Sequence, residues 1–191
     1  METSENKELF LGGPLKVLKE QQADVRLKSL SSERDVAAHK LILSARSEVF
    51  KKFLQPDICK ATSTLETITI SELTHEGLLA FVDFIYSDGS KLNELAKSHV
   101  MSIYRVAEKY KIPHLGDLCR NEIISSLNSW NALKFLEFAQ VPYDYALSNA
   151  ALAAIKNNKV TISNSAEFKD FVVNHPNLTV EIVKAISAKD K

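Results

Sequence analysis

The stretch AHKLILSARSEVF at residues 38–50 constrains the fold of this chain more than any other segment. A short apolar alternation at Val25 and Leu27, typical of a strand, precedes it, and the apolar residues switch to helical spacing after His39. Ser47 is a suitable N-cap for a second helix, because its hydroxyl can accept a hydrogen bond from an otherwise unpaired backbone N–H. Helices this short are marginal in isolation, so the pattern predicts a hairpin and a helix pair that pack on a larger core.

The residues that follow supply such a core. Residues 68–70 predict a short strand, and Thr74 is predicted to cap a helix that runs to about Tyr86 and is apolar nearly all round. A helix of that kind is buried on most sides, which places it at the centre of the core. Pro56 is expected to end the second of the two short helices, and Ser98 to open another helix. A small sheet with many helices predicts an α+β domain.

Both ends of the chain carry further helical patterns. Residues 1–9 are polar and expected to be flexible, and Pro14 suits the first turn of a helix with Leu15 and Leu18 on one side. That short apolar face needs a partner surface, either within its own domain or on another chain. From about residue 129 the strand patterns thin out, and four amphipathic helices are predicted.

The composition disfavours several classes of protein. The formal net charge is zero, with 24 basic and 24 acidic residues, which disfavours a nucleic-acid surface built on excess positive charge. No apolar run approaches the length of a membrane span, and the polar, acidic start METSE does not resemble a signal peptide. Cys59 and Cys119 are therefore expected to be reduced thiols, and we expect the protein in the cytoplasm or the nucleus.

No catalytic or metal-binding motif stands out. The chain has no CxxC, HExxH, GxGxxG, P-loop or GxSxG pattern. A Cys–His pair is spatial, so a nucleophile at Cys59 or Cys119 stays open, although Cys119 lies on an apolar helical stripe where a buried structural thiol is the default. The residues favour a protein that is not an enzyme and needs neither a cofactor nor a metal.

Two polar residues next to the hairpin have alternative interpretations. His39 follows a strand and precedes a helix, so it could act as a general base. The favoured interpretation is a structural histidine whose ring bonds to neighbouring backbone or to a carboxylate such as Asp24 or Asp35. Arg46 could pair with a carboxylate in the same way, or it could be solvated.

Several blocks together resemble the signature of the BTB/POZ family. They are the stretch at 38–50, the upstream ADV at 23–25, FIYSDG at 84–89 and AEKYKI at 107–112, in family order across roughly residues 10–128. The layout is similar to that of short plant BTB/POZ proteins. Residues 129–191 resemble the truncated BACK segment that follows the BTB domain in some adaptor proteins, most closely over FVVNHPNL at 171–178.

This resemblance implies a fold and a division into domains. The fold is α+β, with a small, mostly three-stranded sheet and a cluster of helices, followed by an all-α extension. The implied segments are a flexible N-terminus at 1–9, a BTB/POZ domain with an N-terminal dimerisation helix at 10–128, and a BACK-like helical extension at 129–191.

The resemblance also implies a non-catalytic protein–protein interaction module that pairs with itself or with another BTB protein. BTB domains typically dimerise through the N-terminal helix and the first helices after the hairpin. On this chain the implied interface residues are Leu11, Leu15, Leu18, His39 and Leu43. The family makes His39 architectural, and Asp24 and Arg46 are assigned the same role.

The finer implication is a substrate-specific adaptor of a cullin-3 RING ubiquitin ligase, which recruits an unidentified client protein for ubiquitination and degradation. The implied cullin-contact residues are Phe53, Leu54, Ile58, Tyr86 and Asp88. Binding members often carry a hydrophobic-x-acidic stretch after the second short helix, whereas this chain has Ile58-Cys59-Lys60. The alternative is a homo- or hetero-dimerising scaffold in signalling or transcriptional regulation that does not bind a cullin.

Overall fold

A computed structural model describes residues 23–58 and 66–187, with side chains for 23–54 and 66–187. The predicted N-terminal helix and the predicted flexible terminus lie outside the described residues. The chain divides into two compact units, Met1–Cys119 and Arg120–Lys191. The boundary between residues 128 and 129 that the sequence suggested stays a prediction.

The first unit contains a three-stranded sheet. Its strands are β1 (Val25–Lys28), β2 (Asp35–Ala38) and β3 (Glu66–Thr69), in the order β2-β1-β3. β1 pairs antiparallel with β2 and parallel with β3, which confirms the predicted hairpin. Val25 and Leu27 are buried and Arg26 between them is exposed, so the alternation in sequence places one face of β1 on the core.

Six helices begin in the described part of the first unit: α1 (Lys40–Arg46), α2 (Glu48–Ile58), α3 (His75–Ile85), α4 (Glu94–Ser98), α5 (Val100–Lys109) and α6 (Pro113–Ser125). The predicted cap at the start of α2 is confirmed, because the Ser47 hydroxyl accepts from the Phe50 N–H at 3.1 Å. Thr74 caps α3 in the same way, accepting from the Gly77 N–H at 3.1 Å.

Helix α3 lies at the centre of the first core, as its sequence predicted. The buried residues of α3 are Gly77, Leu78, Ala80, Phe81, Val82, Phe84 and Ile85. Burial on nearly every side requires neighbours all round the helix, and the sheet and helices α1, α4 and α5 contact it. The first unit is thus an α+β domain with a buried helix at its core.

Two predicted helix boundaries are wrong. Pro56 does not end α2, which continues to Ile58, because the φ angle of a proline suits a helix and the ring removes only one backbone donor in the last turn. Ser98 ends α4 rather than opening the next helix, and α5 begins one residue after His99. The missed start is Asn93, whose side chain accepts from a backbone N–H three residues on at 2.7 Å and caps α4.

The second unit is helical in its described part, as predicted, but it has five helices after α6 where the sequence predicted four. The additional one is the short helix Lys159–Ser163. After the end of α6 it contains α7 (Ala132–Phe138), α8 (Tyr145–Asn157), α9 (Lys159–Ser163), α10 (Ala166–Asn174) and α11 (Pro176–Ser187). One residue of each of the last three helices joins its core. The buried cluster consists of Ala132, Leu133, Leu136, Ala151, Ile155, Ile162, Phe171 and Ile182. Across 23–58 and 66–187, none of the helices combines the length and the apolar character needed to cross a bilayer.

Candidate functional site

His39 lies between β2 and α1, and its ring is held by a residue far away in sequence. Its Nδ1 is 2.7 Å from the hydroxyl oxygen of Tyr86, 47 positions along the chain. The two rings meet edge to face, with centroids 6.0 Å apart. Tyr86 is 1% exposed, and burial raises the pKa of its hydroxyl, so this group stays a neutral hydrogen-bonding partner at physiological pH. The sequence predicted backbone or a carboxylate as the partner of His39, whereas the partner in the structure is this tyrosine.

Asp24 fixes the start of α1. Its Oδ1 accepts from the backbone N–H of Lys40, the first residue of the helix, at 2.7 Å. The ammonium of Lys40 in turn lies 3.0 Å from a carboxylate oxygen of Glu66 at the start of β3. Lys40 is only 6% exposed, so this pair links α1 to the sheet from inside the unit. Sequence reasoning did not identify Lys40 or Glu66, because nothing local marks a lysine as buried.

Arg46 caps the end of α3. Its Nε donates to the Ile85 carbonyl at 3.2 Å, and its Nη2 donates to the Ser87 carbonyl at 2.7 Å. The last carbonyls of a helix have no partner inside the helix, and a cation near that end also favours the helix dipole. A carboxylate or solvent was predicted as the partner of Arg46, whereas the structure shows these two backbone carbonyls.

A tight turn of residues 87–90 follows α3 and Tyr86. Ser87 Oγ donates to the Phe84 carbonyl at 2.7 Å and accepts from the Gly89 N–H at 3.0 Å. Asp88 Oδ1 accepts from the N–H two residues on at 2.9 Å, which is a local Asx turn. Asp88 is half-buried, so part of its side chain remains at the surface of this ordered turn.

Gly89 and His114 close the same turn. Gly89 has a φ of +75°, a left-handed conformation in which glycine carries no steric penalty. Its carbonyl oxygen lies 2.6 Å from the Nε2 of His114 in the first turn of α6. No motif in the sequence distinguished His114 from the other histidines, because its partner lies 25 positions away.

The implied dimer residues differ in how much surface they expose. Leu43 has 0% exposure, whereas Leu41, on the same short helix, is 67% exposed. Leu11, Leu15 and Leu18 lie outside the described residues. Within the described part of this region, Leu41 exposes apolar surface, while Leu43 packs inside its own unit.

The implied cullin-contact residues separate in the same way. Phe53 is 59% exposed, while its neighbour Leu54 is 0% exposed and Tyr86 is 1% exposed. Ile58 is the last residue of α2, and its side chain is not described. Phe53 and Asp88 thus contribute surface, whereas Leu54 and Tyr86 support that surface from within the core.

Two observations concern metal ligands and the thiol of Cys119. Among the residues that the structure describes, no group of three or more His, Cys, Asp or Glu side chains could hold a metal ion. Cys119 has 0% exposure. Phe53 and part of the Asp88 side chain reach the surface from ordered backbone.

A comparison with family models decides the classification. The model of the BTB/POZ domain matches residues 15–127 of the chain. The chain belongs to the BTB/POZ family. The α+β fold with a small three-stranded sheet and a helical C-terminal region, predicted from the sequence, is confirmed with it.

Relatives of similar length carry the same family name. Two Arabidopsis thaliana proteins are named putative BTB/POZ domain-containing proteins. One is 58% identical over 188 residues, which cover 97% of this chain and 98% of the relative. The other is 57% identical over 190 residues, which cover 97% of this chain and 91% of the relative. A third, named BTB/POZ domain-containing protein, is 52% identical over 96% of this chain and 84% of its own length. Among solved structures, the BTB domain of human gigaxonin matches with a TM-score of 0.45 and 19% identity, covering 60% of this chain and 87% of that chain.

Membership in the BTB/POZ family defines the general function. The BTB/POZ domain is a protein-interaction domain, and BTB domains mediate protein–protein contacts that include dimerisation. The buried groups described above, such as Tyr86 and Leu43, build the domain. The exposed Leu41 and Phe53 and the half-buried Asp88 are the candidates for contact with partners.

Proposed function

We propose that this BTB/POZ protein is a homodimeric, non-catalytic adaptor that joins a client protein to a cullin-3 RING ubiquitin ligase. The observation that carries the proposal is Phe53, which exposes 59% of its surface while the next residue, Leu54, is fully buried. Aromatic residues are enriched at protein–protein interfaces, because covering a ring removes a large apolar area from water. The BTB resemblance assigns this part of α2 to the cullin surface.

The proposed surface combines Phe53 with the 87–90 turn. Asp88 supplies an acidic group there, fixed by the hydrogen bond from the N–H of Ser90 at 2.9 Å. In such a surface an apolar anchor gives affinity, and a charge at the rim steers association. The cytoplasm or nucleus predicted from the sequence is part of the same proposal.

Dimerisation is proposed to involve the exposed side of α1. Leu41 provides apolar surface on that helix, and Leu11, Leu15 and Leu18 are the implied contacts from the N-terminal segment. In a two-fold dimer the same surface of each subunit lies in the interface, so this apolar surface contributes from both subunits. Two adaptor copies also raise the effective concentration of bound clients and ligases.

The decisive experiment is a calorimetric titration of the protein with the N-terminal domain of cullin-3, with the mass of the protein measured by light scattering. We expect a dimer and a Kd in the micromolar range or tighter. Phe53→Asp should weaken binding at least tenfold, which corresponds to about 1.4 kcal/mol. Leu30→Asp is the matched control, because Leu30 is 74% exposed in the β1–β2 turn and belongs to neither implied surface. Absence of binding by the unmodified dimer would refute the adaptor proposal.

Position 60 offers a gain-of-affinity test. The family pattern places an acidic residue where this chain has Lys60. Lys60→Glu should therefore strengthen binding several-fold, mainly through the association rate, because reversal of a rim charge changes electrostatic steering. The effect should diminish at high salt. Leu54→Asp is not a useful test, since it places a charge in the core and would unfold the unit.

The second candidate function is a dimerising scaffold that does not bind a cullin. The specific observation in its favour is the stretch Ile58-Cys59-Lys60, which has a base in place of the acid. A stable dimer that fails to bind the cullin, and that Lys60→Glu converts into a binder, would favour the scaffold and identify Lys60 as the residue that prevents binding.

A further inference from the structure

We infer that His114 is a positioning residue for the partner-contact surface, because it holds the 87–90 turn in the conformation that presents Asp88. This inference rests on the proposed adaptor function, and it adds a residue to the implied contact set, which does not include His114. The observations that support it are the hydrogen bonds to the backbone carbonyls of Ser87 and Gly89, on the two sides of Asp88.

The carbonyls that flank Asp88 are each held by a side chain from a different helix. Arg46 of α1 donates to the Ser87 carbonyl at 2.7 Å. Nε2 of His114 in α6 lies 2.6 Å from the Gly89 carbonyl. A carbonyl oxygen can only accept, so His114 carries its proton on Nε2 and donates. The backbone on both sides of Asp88 is therefore fixed by parts of the fold that are distant in sequence.

The imidazole also packs against the turn. The Phe84 and His114 rings have centroids 6.4 Å apart. A Cβ at position 89 would lie 3.5 Å from the His114 Cδ2, which shows how closely the glycine approaches the ring. Because Gly89 has a φ of +75° and glycine is the most flexible residue, contacts from outside the turn add to its own hydrogen bonds in keeping one conformation.

The side chain of His114 is exposed, and this separates positioning from core packing. Removing an exposed ring leaves no cavity in the core, so the domain should remain folded. The cost should appear instead when a partner binds, because a turn that is not already ordered must be ordered in the complex. Affinity, and not global stability, is the quantity that His114 should control.

The test is a double-mutant cycle in the cullin-3 titration. His114→Ala should weaken binding about five- to tenfold, and Asp88→Ala should weaken it at least as much. In the Asp88→Ala background, His114→Ala should have no further effect, because His114 acts through Asp88. His114→Gln should recover most of the affinity, since its side-chain amide retains an N–H donor. Asn121→Ala is the matched control, an exposed residue on the same helix.

A second readout needs no partner. ¹⁵N relaxation should give order parameters of about 0.85 at Asp88 and Gly89 in the unmodified protein, falling towards about 0.6 in His114→Ala. The thermal midpoint should fall by no more than about 4 °C. Unchanged order parameters, or a loss of affinity that persists in the Asp88→Ala background, would overturn the positioning role. If the unmodified protein does not bind the cullin, the adaptor proposal fails and this inference fails with it. If it binds and His114→Ala binds equally well, the positioning role alone fails.

Discussion

Lys40 shows how much a single charged side chain can contribute to this fold. It is 6% exposed, and its ammonium is paired at 3.0 Å with Glu66, which links the first turn of α1 to the start of β3. A buried charge is tolerated when it is paired, whereas removing one partner leaves the other charge without compensation. The energetic importance of this pair therefore lies in the cost of breaking it.

Glu66→Gln should lower the free energy of unfolding by about 1–3 kcal/mol, because it leaves the Lys40 ammonium buried without its anion. The double variant Lys40→Met/Glu66→Gln should recover most of that loss. Urea unfolding at neutral pH measures the free energy of unfolding of the single and the double variant. Glu33→Gln is the control, since its partner Lys28 lies 3.1 Å away in an exposed pair, and it should change stability by less than about 0.5 kcal/mol. Equal losses for the two Gln variants would contradict the buried-pair interpretation.

The pair of Glu72 and Lys109, 2.5 Å apart, predicts a pH dependence. Burial is the largest single influence on Glu72 and raises its pKa. The hydrogen bond from Lys109, a backbone hydrogen bond, the Lys109 charge and a hydrogen bond from Ser71 together outweigh burial and lower the pKa below its ordinary value of 4.5. The hydrogen bond to Glu72 raises the pKa of Lys109. A lowered carboxyl pKa gives stability that is present above the unfolded pKa and is lost as the pH falls through the folded one.

Glu72→Gln should therefore destabilise the protein at pH 7 by less than about 1 kcal/mol, because both side chains are partly exposed. The difference between variant and unmodified protein should stay constant between pH 6 and pH 9 and vanish below the folded pKa of Glu72. Unfolding by urea across this pH range measures it. A difference that grows on acidification would show that the pair does not act as described.

At the scale of elements, the end of α5 is a Schellman motif built without glycine. The N–H of Ile112 donates to the Ala107 carbonyl at 2.8 Å, and the N–H of Lys111 to the Glu108 carbonyl at 3.4 Å. Lys111 has a φ of +52°, in the left-handed region where an L-residue with a Cβ is strained. The motif ends α5 and directs the chain into α6, the helix that carries His114.

Lys111→Gly should raise the free energy of unfolding by up to about 1 kcal/mol, since relief of left-handed strain exceeds the entropy that glycine adds to the unfolded chain. Lys111→Ala is the control, because it removes the same charge but keeps the Cβ, and it should leave stability near that of the unmodified protein. Chemical denaturation measures the free energy of unfolding of the unmodified protein and of both variants. A gain for alanine equal to that for glycine would mean that charge, and not backbone conformation, is responsible.

Ser47 connects the start of α2 to the end of α5, which are far apart in the sequence. Its hydroxyl accepts from the Phe50 N–H at the start of α2 and donates to the Tyr110 carbonyl at the end of α5. The Phe50 and Tyr110 rings stack with centroids 4.4 Å apart. One side chain thus caps its own helix and satisfies a carbonyl of another, which explains how a serine with 2% exposure is fully paired.

At the scale of the whole molecule, the central expectation is a dimer. Leu41→Asp should shift the protein from dimer to monomer in light scattering, because it places a charge on the apolar side of α1 that a partner would cover. The thermal midpoint of the unmodified protein should rise with concentration, and that of the variant should not. Leu30→Asp, equally apolar and exposed, should remain a dimer. Dimerisation of Leu41→Asp at unchanged affinity would exclude this face as the interface.

Local patterns in the sequence predicted the elements well. The hairpin at Val25–Ala38, the caps at Ser47 and Thr74 and the buried helix α3 follow from alternation, helical spacing and hydroxyl capping, which depend on residues a few positions apart. The boundary at Pro56 was predicted wrongly, since a proline in a last helical turn can be accommodated without ending the helix.

The amino-acid sequence by itself determined the family, the α+β class and the positions of most helices, because these depend on short-range patterns and on blocks of residues in a fixed order. Only the tertiary structure decided the partners of His39, Arg46 and His114, which lie 25 to 47 positions away. It also decided that Leu43 and Leu54 are buried while Leu41 and Phe53 are exposed. Residue type does not distinguish these neighbouring apolar side chains, so their packing in the folded unit determines which of them is exposed to solvent.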